Sequence, residues 1–217
     1  MIKYKTYIFD FDFTLVDATT GIVESINYAL NHVGLNSESN ENIRKTVGMT
    51  LKNTFFELTG VSDEQTTECF VSNFKYMADK VMADNTVLFA DTIEVLSGLK
   101  KSKYNTAIVT SKFHYRIDEV LKNYNITEMI DYIVGFEDVV EAKPSPEGLL
   151  KAIEYFGNDK QTVLYIGDSL IDANTALNAK IDFAAVLTGT TLRQEFIPLP
   201  HICIVDNLTE LAAHINS

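Results

Sequence analysis

Ile8-Phe9-Asp10-Phe11-Asp12-Phe13-Thr14-Leu15 is the stretch whose reading decides the fold. Tyr7, Ile8 and Phe9 continue an apolar run rich in β-formers and read as the end of a buried strand. Two carboxylates follow, one residue apart and flanked by three phenylalanines, where that strand must stop. Side chains at i and i+2 of an extended segment share a face, so Asp10 and Asp12 are expected to project together. Like charges in a partly apolar setting repel and are costly to desolvate. A pair that stays ionised there needs a cation. Asp-x-Asp alone fits a solvated acidic turn equally well, so the reading rests on what the rest of the chain supplies.

Bulk properties narrow the field. The chain has 217 residues, enough for one α/β domain and a smaller appended unit. It is 46% hydrophobic and 22% charged, as a soluble globular protein is. A net charge of −12 and a pI of about 4.7 argue against nucleic acid as a partner. An anionic substrate must therefore be drawn in by a local cation. Cys69 and Cys203, far apart in sequence, are expected to be core thiols and not a disulfide. No signal peptide or spanning apolar run is evident, so no membrane partner and a cytoplasmic location are expected, as a monomer or homodimer.

Downstream of Thr14 the pattern turns helical. Ile22, Ile26, Ala29, Leu30 and Val33 recur at helical spacing up to Gly34. Residues 38–58 read as two short helices either side of Gly48. Ser62-Asp63-Glu64-Gln65 reads as a capping box opening a helix whose apolar face carries Phe70, Phe74, Met77, Ala78, Val81 and Met82. From about residue 85 helices and strands alternate: helix 91–101, strand 104–110, helix 113–123, strand 131–135, helix 146–156. Strand 162–167, helix 172–180, strand 183–187, a short strand at 202–205 and helix 207–215 complete the chain. Alternation of this kind predicts a doubly wound, Rossmann-like parallel sheet, covered on both faces. The α/β core would comprise residues 1–16 and 85–217, with an α-helical unit, 17–84, inserted after its first strand.

Three more stretches fall at predicted strand ends, where open α/β sheets place their sites. Ala107-Ile108-Val109-Thr110-Ser111-Lys112 runs from a strand into two hydroxyls and a lysine. Thr110 taken alone also fits a helix N-cap. Glu141-Ala142-Lys143-Pro144-Ser145-Pro146 fixes a lysine between prolines at the mouth of a helix. In Ile166-Gly167-Asp168-Ser169-Leu170-Ile171-Asp172, an apolar strand ends at Gly167 with one aspartate at its tip and another four residues on. Together with Asp10 and Asp12 these predict a cluster of four carboxylates offering oxygen ligands only, which suits Mg²⁺ and not zinc.

On these motifs the chain resembles the haloacid dehalogenase-like hydrolase superfamily, in its phosphatase branch with a helical cap. Asp10-x-Asp12-x-Thr14, the strand ending in Thr110, Lys143 before Pro144, and Gly167-Asp168-x-x-x-Asp172 match the family's four motifs in order. Thr14-Leu15-Val16-Asp17 and Val47-Gly48-Met49-Thr50-Leu51 make the layout similar to phosphoglycolate phosphatases. The resemblance implies that Asp10 is the nucleophile, forming an aspartyl-phosphate, and that Asp12 is the general acid–base. It implies that Thr110, Ser111 and Lys143 bind the phosphoryl oxygens. Mg²⁺ would be held by Asp10, the Asp12 backbone carbonyl and Asp168, with Asp172 in support. The implied activity is hydrolysis of a small phosphomonoester resembling phosphoglycolate, making the partner a small phosphorylated metabolite. A β-phosphoglucomutase-like phosphomutase shares every core residue, and a non-catalytic regulator could keep the fold. Dehalogenases lack the Asp12 equivalent, and phosphonatases need a Schiff-base lysine. Phe13 and Lys180 stand where glycine is common in the family, and Ala90-Asp91 where Pro-Gly is common.

Overall fold

A computed structural model describes residues 4–216. The chain divides into two compact units: one built from residues up to Val16 and from Leu88 onward, the other from Asp17–Val87.

The larger unit is built on a six-stranded sheet. Its strands are β1 (Thr6–Phe9), β4 (Asn105–Val109), β5 (Tyr132–Val134), β6 (Val163–Gly167), β7 (Asp182–Val186) and β8 (Cys203–Val205). Their order is β5-β4-β1-β6-β7-β8, and every pairing is parallel. All residues of β1 and β6 are buried, as strands covered on both faces must be. The covering helices are α5 (Thr92–Lys101), α6 (His114–Asn123), α7 (Glu147–Phe156), α8 (Leu170–Ala179), α9 (Arg193–Phe196) and α10 (Leu208–Asn216). Ala173, Ala176 and Ala179 of α8 are buried in one cluster with Tyr165, Phe183 and Phe196. After β1 the chain builds outward through β4 and β5, then returns to the other side of β1 with β6. The carboxyl ends of β1, β4 and β6 therefore flank the point where the winding reverses, and crevices of doubly wound sheets form there.

The helical unit contains α1 (Thr19–His32), α2 (Asn40–Arg44), α3 (Leu51–Thr59) and α4 (Glu64–Val81). Ile22, Ile26, Ala29 and Leu30 make the buried face of α1, which packs against α4. Phe70, Phe74 and Ala78 are buried on α4, and the Phe55 and Phe70 rings stack with centroids 4.7 Å apart. Two short strands, β2 (Val16–Asp17) and β3 (Val87–Leu88), pair as a separate sheet at the points where the chain passes between the units. Among the described residues no helix is long and apolar enough to cross a membrane.

Some local expectations need correction. The N-cap of α4 is Asp63, not Ser62: the Asp63 carboxylate accepts from the Thr66 amide at 2.8 Å. Cys203 is buried, but Cys69 is exposed on α4 and is not a core thiol. Helix α8 begins two residues before 172, because Ser169 caps it. Asp91 accepts from the Thr209 amide at 2.9 Å and ties the start of α5 to that of α10.

Candidate active site

Asp10 follows β1 directly, and its amide donates to the Ile166 carbonyl of β6 at 2.9 Å. This prolongs the ladder by one bond and fixes the carboxylate at the sheet's edge. Its Oδ1 is buried and makes no hydrogen bond. Lys143 Nζ lies 3.0 Å from it, an ion pair without hydrogen-bond alignment. Asp168, at the tip of β6, and Asp172, in the first turn of α8, complete a buried group whose ligand oxygens all lie within 4.8 Å of one another. Burial is the main effect on Asp10 and Asp168. It pushes Asp10 up to about 6, with Lys143 opposing and Asp172 adding to the rise. Asp168 is driven well above the carboxylate range by burial, then by the charges of Asp172 and Asp10.

Lys143 is held from three sides. Its ammonium donates to Asp172 Oδ1 at 2.7 Å and to the Tyr165 hydroxyl at 3.2 Å, with Asp10 beside it. Burial alone would lower its affinity for a proton; the charges of Asp10 and Asp172 outweigh that and keep it above the usual lysine value. Asp172 is saturated. Oδ1 takes Lys143 and, at 2.8 Å, the Tyr165 hydroxyl, while Oδ2 takes the amide and hydroxyl of Ser169. Ser169-x-x-Asp172 is thus a capping box that also positions a lysine.

Two glycines are needed by close approach. A Cβ on Gly189, in the turn after β7, would lie 1.9 Å from Asp168 Oδ2. A Cβ on Gly167 would lie 2.5 Å from the Asp172 side chain. The other Asp168 oxygen accepts from the Thr14 hydroxyl at 3.3 Å.

Thr110 continues β4, its amide bonded to the Val134 carbonyl at 3.1 Å. Thr110, Ser111 and Lys143 line one small cleft. Asp12 departs from expectation. Its carboxylate lies outside the acidic group, so three carboxylates and not four are gathered. Lys112 Nζ clamps both Asp12 oxygens, at 2.8 and 3.0 Å. The cause is local: extended backbone ends with β1, and Thr14, Leu15 and Val16 all donate back to the Phe11 carbonyl. Phe13, at φ +61°, completes the turn, so the i, i+2 rule for strands no longer applies.

Sequence reasoning assigned no role to Lys112, Thr14, Tyr165 or Gly189. Lys112 and Thr14 stood inside quoted motifs, one and two positions from named site residues. Nothing in the sequence marks Gly189.

Residues 7–186 match the haloacid dehalogenase-like hydrolase family. The chain belongs to this family. Pyrophosphatase PpaX of Bacillus mycoides is 27% identical, covering 99% of this chain and 100% of that protein. The probable phosphatase IndB of Dickeya dadantii is 29% identical over 95% of this chain and 92% of its own length. A crystal structure from Bacteroides fragilis, assigned to the haloacid dehalogenase-like hydrolases, superposes with a TM-score of 0.94 at 40% identity. It covers 96% of this chain and all (100%) of that one.

The acidic group fits the divalent metal such enzymes use. It gathers three carboxylates around one lysine and leaves a buried Asp10 oxygen without a hydrogen bond. A bound cation would satisfy that oxygen and offset the repulsion that raises Asp10 and Asp168.

Proposed function

We propose that the protein is a Mg²⁺-dependent phosphatase that hydrolyses a small phosphomonoester through an aspartyl-phosphate on Asp10. The observation that carries this is the Asp10 carboxylate itself: buried, one oxygen unbonded, with a fixed ammonium 3.0 Å away. A structural carboxylate would have its lone pairs filled, so an oxygen left open for a cation supports a working role for Asp10.

Asp10 attacks phosphorus, and the bond from phosphorus to the leaving oxygen breaks. Asp12 gives that oxygen a proton, then takes one from the water that attacks the aspartyl-phosphate and releases phosphate. Thr110, Ser111 and Lys143 bind the phosphoryl oxygens, and Lys143 offsets the repulsion between attacking and attacked anions. Asp10, the Asp12 carbonyl and Asp168 would hold Mg²⁺, which lowers that repulsion further and stabilises the charge of the transferring group. Oxygen-only donors suit this ion. Asp172, with both oxygens engaged, serves by aiming Lys143. The helical unit is read as a cap that selects the substrate. Relatives named as phosphatases and a pyrophosphatase support the class of substrate, a small phosphorylated metabolite.

The test is hydrolysis of an aryl phosphate with Mg²⁺ and with EDTA, joined to rapid-quench mass spectrometry. Activity that needs Mg²⁺, with a phosphoryl adduct on the peptide carrying Asp10, is expected. Full turnover in EDTA, or water attack with no adduct, would contradict the reading.

A further inference from the structure

Lys112 is built into the site with unusual firmness for a surface-type side chain. Its backbone is pinned on both sides: the amide donates to Thr110 Oγ1 at 3.3 Å, and the carbonyl accepts from the Phe136 amide at 2.9 Å. The ammonium lies 5.8 Å above the centre of the Phe11 ring. Its side chain is only 5% exposed, and it spans both oxygens of Asp12. With both oxygens so engaged, Asp12 is not free to reach a leaving oxygen. Before the proposed acid–base can act, that clamp must open or be shared.

What opens it is an anion able to compete for the ammonium. The transferring phosphoryl group already has Lys143, Thr110 and Ser111 assigned to it, while Lys112 is engaged with Asp12. The competing charge must therefore sit on the other part of the substrate. Asp12 serves the leaving oxygen, and Lys112 touches Asp12, so the ammonium lies on the leaving-group side.

Resting on the function proposed above, we infer that Lys112 determines specificity: it accepts a negative charge on the leaving group, and in doing so releases Asp12 to that group's oxygen. The substrate class follows as phosphoryl compounds whose leaving part is itself anionic, through a carboxylate or a second phosphate near the bridging oxygen. A neutral alcohol gives Lys112 nothing to exchange for Asp12. A cationic one adds repulsion.

The experiment holds the leaving atom constant and varies the charge. Phosphoglycolate, ethyl phosphate and phosphoethanolamine all release a primary alcohol, bearing a negative, neutral and positive charge in turn, and pyrophosphate supplies the second-phosphate arm. For wild type, kcat/KM is expected to fall along the first three, the anionic member exceeding the neutral one by roughly 10- to 100-fold, the weight of a charge-assisted hydrogen bond. Lys112→Met should shrink that ratio by at least about tenfold, and Lys112→Arg should keep most of it. A loss confined to phosphoglycolate or to pyrophosphate names the anion that the site uses. Equal losses on every member, with circular dichroism unchanged, would overturn the inference and leave Lys112 a mere support for Asp12. So would a wild type indifferent to charge while hydrolysing all three, which leaves the phosphatase reading standing. A wild type inert toward these and toward aryl phosphate would overturn both.

Discussion

Asp10 and Asp12 are one residue apart, and the structure treats them in opposite ways. Asp10 is locked among buried groups, with Lys143, Asp168 and Asp172 around it and one oxygen left unbonded. Asp12 sits where the chain turns, more exposed, with both oxygens on a single lysine. The first environment is set by many contacts, several of them to backbone or to capping groups, so no single partner defines it. The second hangs on one ion pair. A nucleophile needs a fixed approach to phosphorus, whereas an acid–base must change partners within each turnover. The difference in surroundings fits the different tasks proposed for the two residues.

The largest effect should come from the locked side. Asp10→Asn keeps the volume but removes the charge and most of the nucleophilicity. Turnover is expected to fall by more than about a hundredfold, beyond what lost acid–base help need cost, with an unchanged circular dichroism spectrum. Residual activity above that level would erase the distinction between the two aspartates.

Asp12→Asn should instead give a loss that depends on the leaving group. An alkyl phosphate, whose alkoxide leaves poorly without a proton, should slow by roughly 10²- to 10⁴-fold. An aryl phosphate with an acidic phenol should form the aspartyl-phosphate readily and then stall, because the attacking water has lost its base. Stopped-flow absorbance would show a burst of phenolate followed by a slow steady state. Equal losses with no burst would mean that Asp12 shapes the site and moves no proton.

The locked side also predicts a pH dependence. Burial raises Asp10 from 3.8 to about 6. A carboxylate whose folded value is raised stabilises the fold below its unfolded value, and that contribution is lost as pH rises through about 6. Above that pH the group carries a buried charge that Lys143 only partly offsets, and a cation is worth most there. Mg²⁺ should therefore raise Tm more at about pH 7.5 than at about pH 5. Gly189→Ala, by pushing on Asp168, should weaken metal binding by roughly 10- to 100-fold and reduce that increment. A Mg²⁺ increment independent of pH would detach Asp10 from the metal.

The locked side was largely legible in the sequence, and the other was not. Asp10, Thr110, Asp168 and Asp172 each fall at a strand end or helix start, and periodicity finds such places; Lys143 lies in the proline-flanked loop before α7. The sheet could be read for the same reason, since apolar runs such as residues 163–167 alternate with amphipathic helices. Asp12 was misplaced because the period-two rule was carried past Phe9, where the strand stops. The Lys112 clamp links residues 100 positions apart through side chains alone. No local pattern encodes such a contact. Gly189 was invisible for a similar reason: its requirement comes from Asp168 approaching across the sheet's edge, not from any turn written in its own neighbours.

Backbone conformation gives the finest version of the comparison. Each side of the site is supported by a residue in the left-handed region where the family commonly has glycine. Phe13, at φ +61°, follows Asp12 directly. Lys180, at φ +58°, ends α8, the helix whose first turn carries Asp172. For L-residues that conformation costs about 1–2 kcal/mol, so glycine should relieve a similar amount at both. The side chains decide the net sign. The Phe13 ring is 1% exposed, and removing such a ring costs about 3–5 kcal/mol. Phe13→Gly should therefore destabilise the protein by roughly 1–4 kcal/mol. Lys180 is exposed, and its loss forfeits only its favourable charge at a helix C-terminus, about 0.3–1 kcal/mol. Lys180→Gly should therefore stabilise by up to about 1.7 kcal/mol, with kcat unchanged because the residue lies at the far end of α8 from Asp172. Urea denaturation of both variants checks the pair. A stabilised Phe13→Gly would mean that the ring packs too poorly to outweigh backbone strain. A destabilised Lys180→Gly would mean that the lysine makes a contact worth more than the strain it sustains.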